Sequence, residues 1–207
     1  MTYRAIEVLK SVDLIASEDT RKTSILLKHY QISRPQIAFN NFNEKTVTPK
    51  LVGRLLAGES IGLVTNAGTP GISDPGYSLT HAAVKAGITV TAVPGATAVI
   101  MAVTLSDLPM HSFTFRGFPP HKDGPRRRFL ELDKESPHTL VFYESPHRLQ
   151  AFLKAALDIF GNRKILIAND LTKKFETLYR GNLEEMNERF ITEKVLGEYT
   201  IVIEGID

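Results

Sequence analysis

Short apolar runs alternate with helical patterns along the whole chain, and that alternation leaves few architectures open. Residues 3–12 read as a helix with Ala5, Ile6, Val8 and Leu9 on one face. A strand at 13–16, "DLIA", a helix from about Arg21 to Tyr30 and a strand near 36–39, "QIAF", come next. Then follow a helix at 45–57, a strand at 61–65, a helix at 75–86, a strand at 88–93, "ITVTAV", and a helix at 96–105. Strands that alternate with helices imply a parallel sheet covered by helices on both faces.

The pattern restarts after "SDLPMHS". "FTFRGF" (113–118) and "HTLVFYE" (138–144) read as strands flanking a charged helix. A helix at 147–160 precedes three more strand candidates, "KILIAN", "FETLYRG" and "EYTIVIEG", with a helix at 182–190 between the last two. Strands are denser here and helices fewer, which points to a mixed sheet. The expected division is an N-terminal α/β domain at 1–110 and a C-terminal α/β domain at 111–207, with the boundary near Leu108–Ser112.

Composition narrows the partners. With 207 residues, 43% of them hydrophobic, the chain can bury a sizeable core. Twenty-five basic residues nearly balance 23 acidic ones. A nucleic-acid site must therefore be a local patch, since a global field is absent. The chain has no cysteine, which excludes disulfides and cysteine-based metal sites. No run of 18 apolar residues and no signal peptide are found. The expectation is a soluble cytoplasmic protein with no membrane partner.

In open α/β sheets ligands bind beyond the carboxyl ends of the strands. Those ends are unusual in this chain. "DLIAS" runs into "EDTR" (18–21), "IGLV" into "TNAGTPGISDPG" (65–76), "TVTAV" into "PGATA" (94–98), "LVFY" into "ESPHR" (144–148) and "ILIAN" into "DLTK" (170–173). Glycine lets backbone approach a ligand closely, and free N–H groups ahead of a helix favour carboxylate or phosphate. Each stretch alone has a plainer reading. "EDTR" suits a helix cap, "NAGTPG" suits consecutive turns, and the arginines of "RRR" (126–128) suit a solvated helix face. Their recurrence at successive strand ends in both halves favours a ligand held between two sheets.

"ASEDTRKT", "NAGTPGISDPGY", "VPGATA", "FTFRGFPPHK", "TLVFYESPHRL", "DLTKKFET" and "GEYTIVIEG" occur in this order. Together they resemble the ribosomal RNA small-subunit methyltransferase I family of the tetrapyrrole methylase superfamily. The resemblance implies a two-domain fold with S-adenosylmethionine in the interdomain cleft, a parallel-sheet N-terminal domain and a mixed-sheet C-terminal one. It implies methyl transfer to a ribose 2′-hydroxyl of small-subunit ribosomal RNA, and a homodimer. Carried onto this chain, it places Gly68, Thr69 and Ile72 beside the methionine part, with Thr97 and Ala98 on the same ligand. It makes Phe142 and Tyr143 walls of the adenosine site, and puts Ala168, Asn169 and Glu198 near the adenine. "EDTR" and "ESPHR" would face the RNA.

The sequence departs from the family pattern at Asn66 (usually Asp), at Ala96 (usually Pro) and at Asn169–Asp170 (usually an Arg–Glu pair). A C-terminal segment of longer members is absent. The family's opening strand and "P-I-G-N"-like loop are absent too, because Met1-Thr2 leads directly into "YRAIEVLK". Weak cofactor binding and an unpaired strand edge are the expected consequences.

The activated methyl of a sulfonium needs alignment and a destination for the hydroxyl proton. Asp19 and Glu144, at strand ends of opposite domains, are the candidate general bases. Lys173 would qualify only with a lowered pKa. For Glu144 an ion pair with Arg148, four residues on, is the competing role. Arg21, Arg126, Arg127, Arg128 and Arg148 are the candidate phosphate clamps. "RRR" favours RNA over the superfamily's other substrates, tetrapyrroles or a modified protein side chain. A catalytically silent RNA-binding protein is the reading from a different class.

Overall fold

The computed structural model describes residues 1–206. It divides into two compact units, Met1–Thr97 and Ala98–Asp207.

The first unit runs α1 (Tyr3–Ser11), β1 (Leu14–Ser17), α2 (Thr20–His29), β2 (Gln36–Ala38), α3 (Glu44–Leu56), β3 (Ile61–Val64) and α4 (Tyr77–Lys85). Its three strands form a parallel sheet in the order β2-β1-β3, with Ala16 level with both Ile37 and Leu63. The pleat sends alternate side chains of β1 to opposite faces. Ile15 joins Leu9, Val12, Leu27 and Ile32 under α1 and α2. Leu14 and Ala16 join Phe39, Leu51 and Leu79 under α3 and α4. The sheet is thus buried on both faces, which explains the uninterrupted apolar run of β1.

One expected strand is not formed. Residues 88–93 carry no strand and pair with no ladder among the described residues, and Thr89 to Ala92 are exposed. Val and Thr at period two record a fit to a pleated surface. A strand exists only where a neighbouring ladder takes its N–H and C=O groups.

The second unit runs α5 (Ala98–Leu105), β4 (Phe113–Gly117), α6 (Asp123–Glu131), β5 (Thr139–Glu144), α7 (Pro146–Phe160), β6 (Lys164–Asn169), β7 (Thr177–Asn182), α8 (Leu183–Thr192) and β8 (Tyr199–Ile203). Its sheet has the order β4-β5-β8-β6-β7. Only β4 and β5 pair in parallel; the other three pairings are antiparallel, so the sheet is mixed. Leu140 and Phe142 of β5 point into the larger core with Leu149, Phe152, Leu183 and Ile201. Val141 points the other way, under α5, with Val99, Ala102, Val103 and Val202. No helix among the described residues is long and apolar enough to cross a membrane.

Candidate functional site

In the first unit, β3 ends at Val64 and the chain takes irregular backbone from residue 65 to Gly76. Gly68 and Gly71 have φ values of 74° and 83°, and Ser73 has 62°. Those conformations favour glycine and leave the backbone bare. A Cβ at Gly68 or Gly71 would meet nothing within 4 Å. The N–H groups of Ala67, Gly68 and Gly71 donate to no oxygen of the described residues, whereas Ile72 donates to Thr69 O at 3.2 Å. Asn66 N–H donates to Glu18 Oε2 at 2.9 Å, which ties this loop to the end of β1. Thr69 Oγ1 donates to Ala96 O at 3.4 Å, so the "NAGTPG" and "PGATA" loops meet. Of the residues assigned to the cofactor in this unit, Gly68 and Ile72 are exposed and Thr69 and Thr97 are half-buried; Ala98, which opens α5, belongs to the second unit.

Asp19 is the N-cap of α2. Its Oδ1 accepts from the Arg21 backbone N–H at 2.9 Å and from Nε at 3.1 Å, and Oδ2 accepts from Nη2 at 2.8 Å. The bonds from Arg21 lower its carboxyl pKa to about 2. The same ion pair raises the pKa of Arg21, whose side chain stays 89% exposed.

At the end of β5 in the second unit, Glu144 is 2% exposed. Its carboxylate forms an ion pair with Arg148, Nε lying 2.7 Å away, and accepts from Ser145 N–H at 2.8 Å. Burial raises its pKa in spite of those partners. Arg148 also donates to Ser145 Oγ and lies 5.8 Å from the Phe118 ring centroid. The competing reading of Glu144 as the partner of Arg148 is thus realised.

The expected row of three free arginines is not there. Arg126 is buried, bonded to Asp123 Oδ1 at 2.9 Å and to His121 O at 3.2 Å, and its Nε is without a partner. Arg127 spans Asp123 at 3.1 Å and Asp158 at 2.6 Å. Arg128 alone is exposed without an acidic partner among the described residues. The reason is local. Asp123 stands three and four residues before two of the arginines on one helix, where side chains meet.

Phe142 does not present its ring to a ligand. It is fully buried, with Phe152 and Phe160 at 5.2 and 6.5 Å between centroids. Consecutive strand residues face opposite ways, so a ligand on one face meets only one of the pair. Tyr143 is the half-buried one, packed on Phe115 and Phe118 at 5.0 and 5.5 Å. Ala168 is buried on that same face of the sheet, beside α5.

Asn169 Nδ2 donates to Leu196 O at 2.8 Å. Lys173 Nζ bridges Asp170 at 2.8 Å and Glu198 at 2.7 Å. Those two bonds raise the Lys173 pKa, the opposite of what a base requires. The departure from the family pair at Asn169–Asp170 is built into this knot. Asp170 has φ 46°, and its carboxylate fills the space where a Cβ at Gly197 would stand, 2.3 Å away. Glu18 and Gly197 each matter through a long-range contact that residue type does not announce. Among the described residues no cluster of His, Asp or Glu is placed to hold a metal ion.

The chain matches the model of the tetrapyrrole (corrin/porphyrin) methylases over residues 1–187. It is 44% identical to the ribosomal RNA small subunit methyltransferase I of Halalkalibacterium halodurans over 205 residues, which covers 99% of this chain and 71% of that one. The chain belongs to this methyltransferase family. The namesake from Synechocystis sp. is 44% identical over 206 residues, covering 99% of this chain and 74% of its own. Among solved structures, the uroporphyrin-III C-methyl transferase of Thermus thermophilus complexed with S-adenyl homocysteine superposes with a TM-score of 0.65. At 18% identity, over 98% of this chain and 90% of that one, it shares the fold. The strand-end loops described above are therefore features of a methyltransferase family member, and the ion pairs at Asp19 and Glu144 occupy its "EDTR" and "ESPHR" segments.

Proposed function

We propose that this chain transfers a methyl group from S-adenosylmethionine to a ribose 2′-hydroxyl of small-subunit ribosomal RNA. The observation that carries the reading is the likeness, over nearly its whole length, to ribosomal RNA small subunit methyltransferase I. The residues fit the cofactor: the open N–H groups of Ala67, Gly68 and Gly71 suit the carboxylate of its methionine part. S-adenosylmethionine, when bound, supplies a methyl group already activated as part of a sulfonium.

The chain's own residues bind and align. Gly68, Thr69, Ile72, Thr97 and Ala98 form the methionine side of the site. In the second unit this reading assigns Tyr143, Ala168 and Asn169 to the adenosine, with Glu198 bonded to Lys173. Phe142 supports this strand end from the core. Asp19, ionised far below neutral pH, is a weak proton acceptor. Its role is to hold Arg21 at the start of α2, where the exposed guanidinium meets a phosphate. Glu144 holds Arg148 for the same purpose. Both carboxylates are positioning residues in this reading, and Arg128 is a third phosphate contact. The substrate sets the cellular place of the reaction as the cytoplasm. The homodimer is the expected assembly, checked by light scattering.

Transfer of radiolabelled methyl from S-adenosylmethionine to small ribosomal subunits lacking the modification tests the proposal. Alkali-resistant dinucleotides carrying the label are expected, because a 2′-O-methyl blocks hydrolysis of the next phosphodiester. Label on a base, or none in the RNA, overturns it.

A further inference from the structure

Between the outer face of α2 and the start of the loop after β3 runs a groove of about 380 Å³. Lys22, Ile25, Leu26, His29, Thr65 and Asn66 line it. We propose that this groove seats one nucleotide of the substrate RNA strand. Its phosphate lies toward Lys22 and His29, and its base rests on Ile25 and Leu26. The proposal rests on the ribosomal RNA reading above and adds a substrate subsite to it.

Charge is the first support. α2 reads TRKTSILLKH and contains no acid. Glu18 and Asp19 precede Lys22 by four and three residues, yet their carboxylates are taken by Asn66 N–H and by Arg21. No acid of the described residues pairs with Lys22 or Lys28. Helix stability does not account for Lys22, since a cation in the first turn opposes the helix dipole. Two of the three arginines of α6, in contrast, are already neutralised.

Shape and chemistry are the second support. Ile25 is 73% exposed, an apolar β-branched side chain set among cations on a solvent face. An acidic peptide would use the cations and leave Ile25 wet. A nucleotide uses both, because it joins a flat base with apolar faces to a phosphate. The Asn66 side-chain amide, without a partner among the described residues, offers a donor and an acceptor to a base edge. The groove also falls within the size range of small-ligand sites, roughly 300–1,000 Å³.

The test compares Lys22→Ala and Ile25→Ser with Lys85→Ala, an exposed cation of α4 outside the groove, in methylation of small ribosomal subunits. Circular dichroism confirms that all three fold. Lys22→Ala is expected to flatten the slope of log affinity against log salt by about 0.7, the loss of one phosphate contact on a single strand. Ile25→Ser is expected to raise KM for the RNA roughly tenfold, through lost apolar contact with the base. In both variants kcat and the S-adenosylmethionine Kd stay at wild-type values, and Lys85→Ala changes nothing. Wild-type KM and salt slope in both groove variants overturn the groove while leaving the parent reading intact. Equal losses in cofactor and RNA affinity assign the groove to the cofactor and overturn it too. A wild-type chain that methylates no RNA overturns the parent reading, and the groove's occupant with it.

Discussion

Gly76 decides whether the loop after β3 holds its shape. It is the N-cap of α4 with φ 155° and ψ −35°, a region nearly closed to side chains. A Cβ there would stand 3.0 Å from Gly71 N and 3.2 Å from Leu63 Cδ2. Gly76→Ala therefore meets two penalties. The backbone conformation costs about 1–3 kcal/mol, and crowding against a neighbouring backbone costs about 1–3 kcal/mol more. At about 2–4 °C per kcal/mol for a chain of this size, the melting temperature should fall by roughly 10 °C. Gly68→Ala is the control. Its φ of 74° carries a cost of about 1–2 kcal/mol, but open space surrounds its Cβ. That variant should melt only a few degrees lower, on the order of 2–8 °C, yet bind S-adenosylmethionine at least tenfold more weakly, because the methyl occupies the loop's open side. Thermal denaturation and calorimetric titration with the cofactor read the two quantities separately. A Gly76→Ala protein that melts at the wild-type temperature refutes the close approach of Gly76 to Gly71. A Gly68→Ala protein with wild-type cofactor affinity refutes the cradle.

Four other substitutions separate positioning from catalysis. Asp19→Asn should raise KM for RNA while leaving kcat within a few-fold; loss of a general base would instead cut kcat about 10²–10⁴-fold. Because Arg21 lowers the Asp19 pKa from 3.8 to about 2, its stabilising effect is complete above pH 3.8 and is lost as pH falls toward 2. The Asn variant should lack that acid limb in urea titrations. Glu144 has the opposite sign: burial raises its pKa above 4.5, so stability is greatest with the proton on and declines as pH rises from 4.5 through the folded-state value. Glu144→Gln should flatten that decline, and a wild type that gains stability from pH 4.5 to 7 would show that the Arg148 pair dominates instead. Arg126→Ala should lower the urea midpoint by the equivalent of roughly 2 kcal/mol, through lost packing and a broken pair. Arg128→Ala should stay within about 0.5 kcal/mol of wild type and weaken RNA binding at low salt more than at high salt.

Periodicity carries most of the fold, because a strand buried on both faces needs an unbroken apolar run, which Leu14, Ile15 and Ala16 supply. Leu14, Ile15 and Ala16 serve two cores at once. Periodicity fails where the outcome depends on a partner. "ITVTAV" has the right residues for a strand, but the described chain offers it no ladder. α5 is a subtler case. "AVIMAVTL" is apolar on nearly every side, so no stripe shows which sheet it will cover; the packing of Val99, Ala102 and Val103 on Val202 decides that.

The candidate site divides along the same line. Glycine-rich strand ends were legible because the backbone itself is the functional group, and glycine names the conformations that expose it. Side-chain roles were less legible, since residue type gives a charge but not its partner. "RRR" looks like an RNA patch until Asp123 is counted at helical spacing and Asp158 arrives from α7. Phe142 and Tyr143 look like one aromatic wall until the strand's pleat sends them to opposite faces. Cations become informative only after their partners are subtracted. On α2, Asp19 positions an Arg21 that stays exposed, and Lys22 and Lys28 stand without an acidic partner beside an exposed isoleucine. Intramolecular ion pairing explains two of the three arginines of α6 but neither of those lysines, and this is why α2 is the stronger candidate for the surface that meets a polyanion.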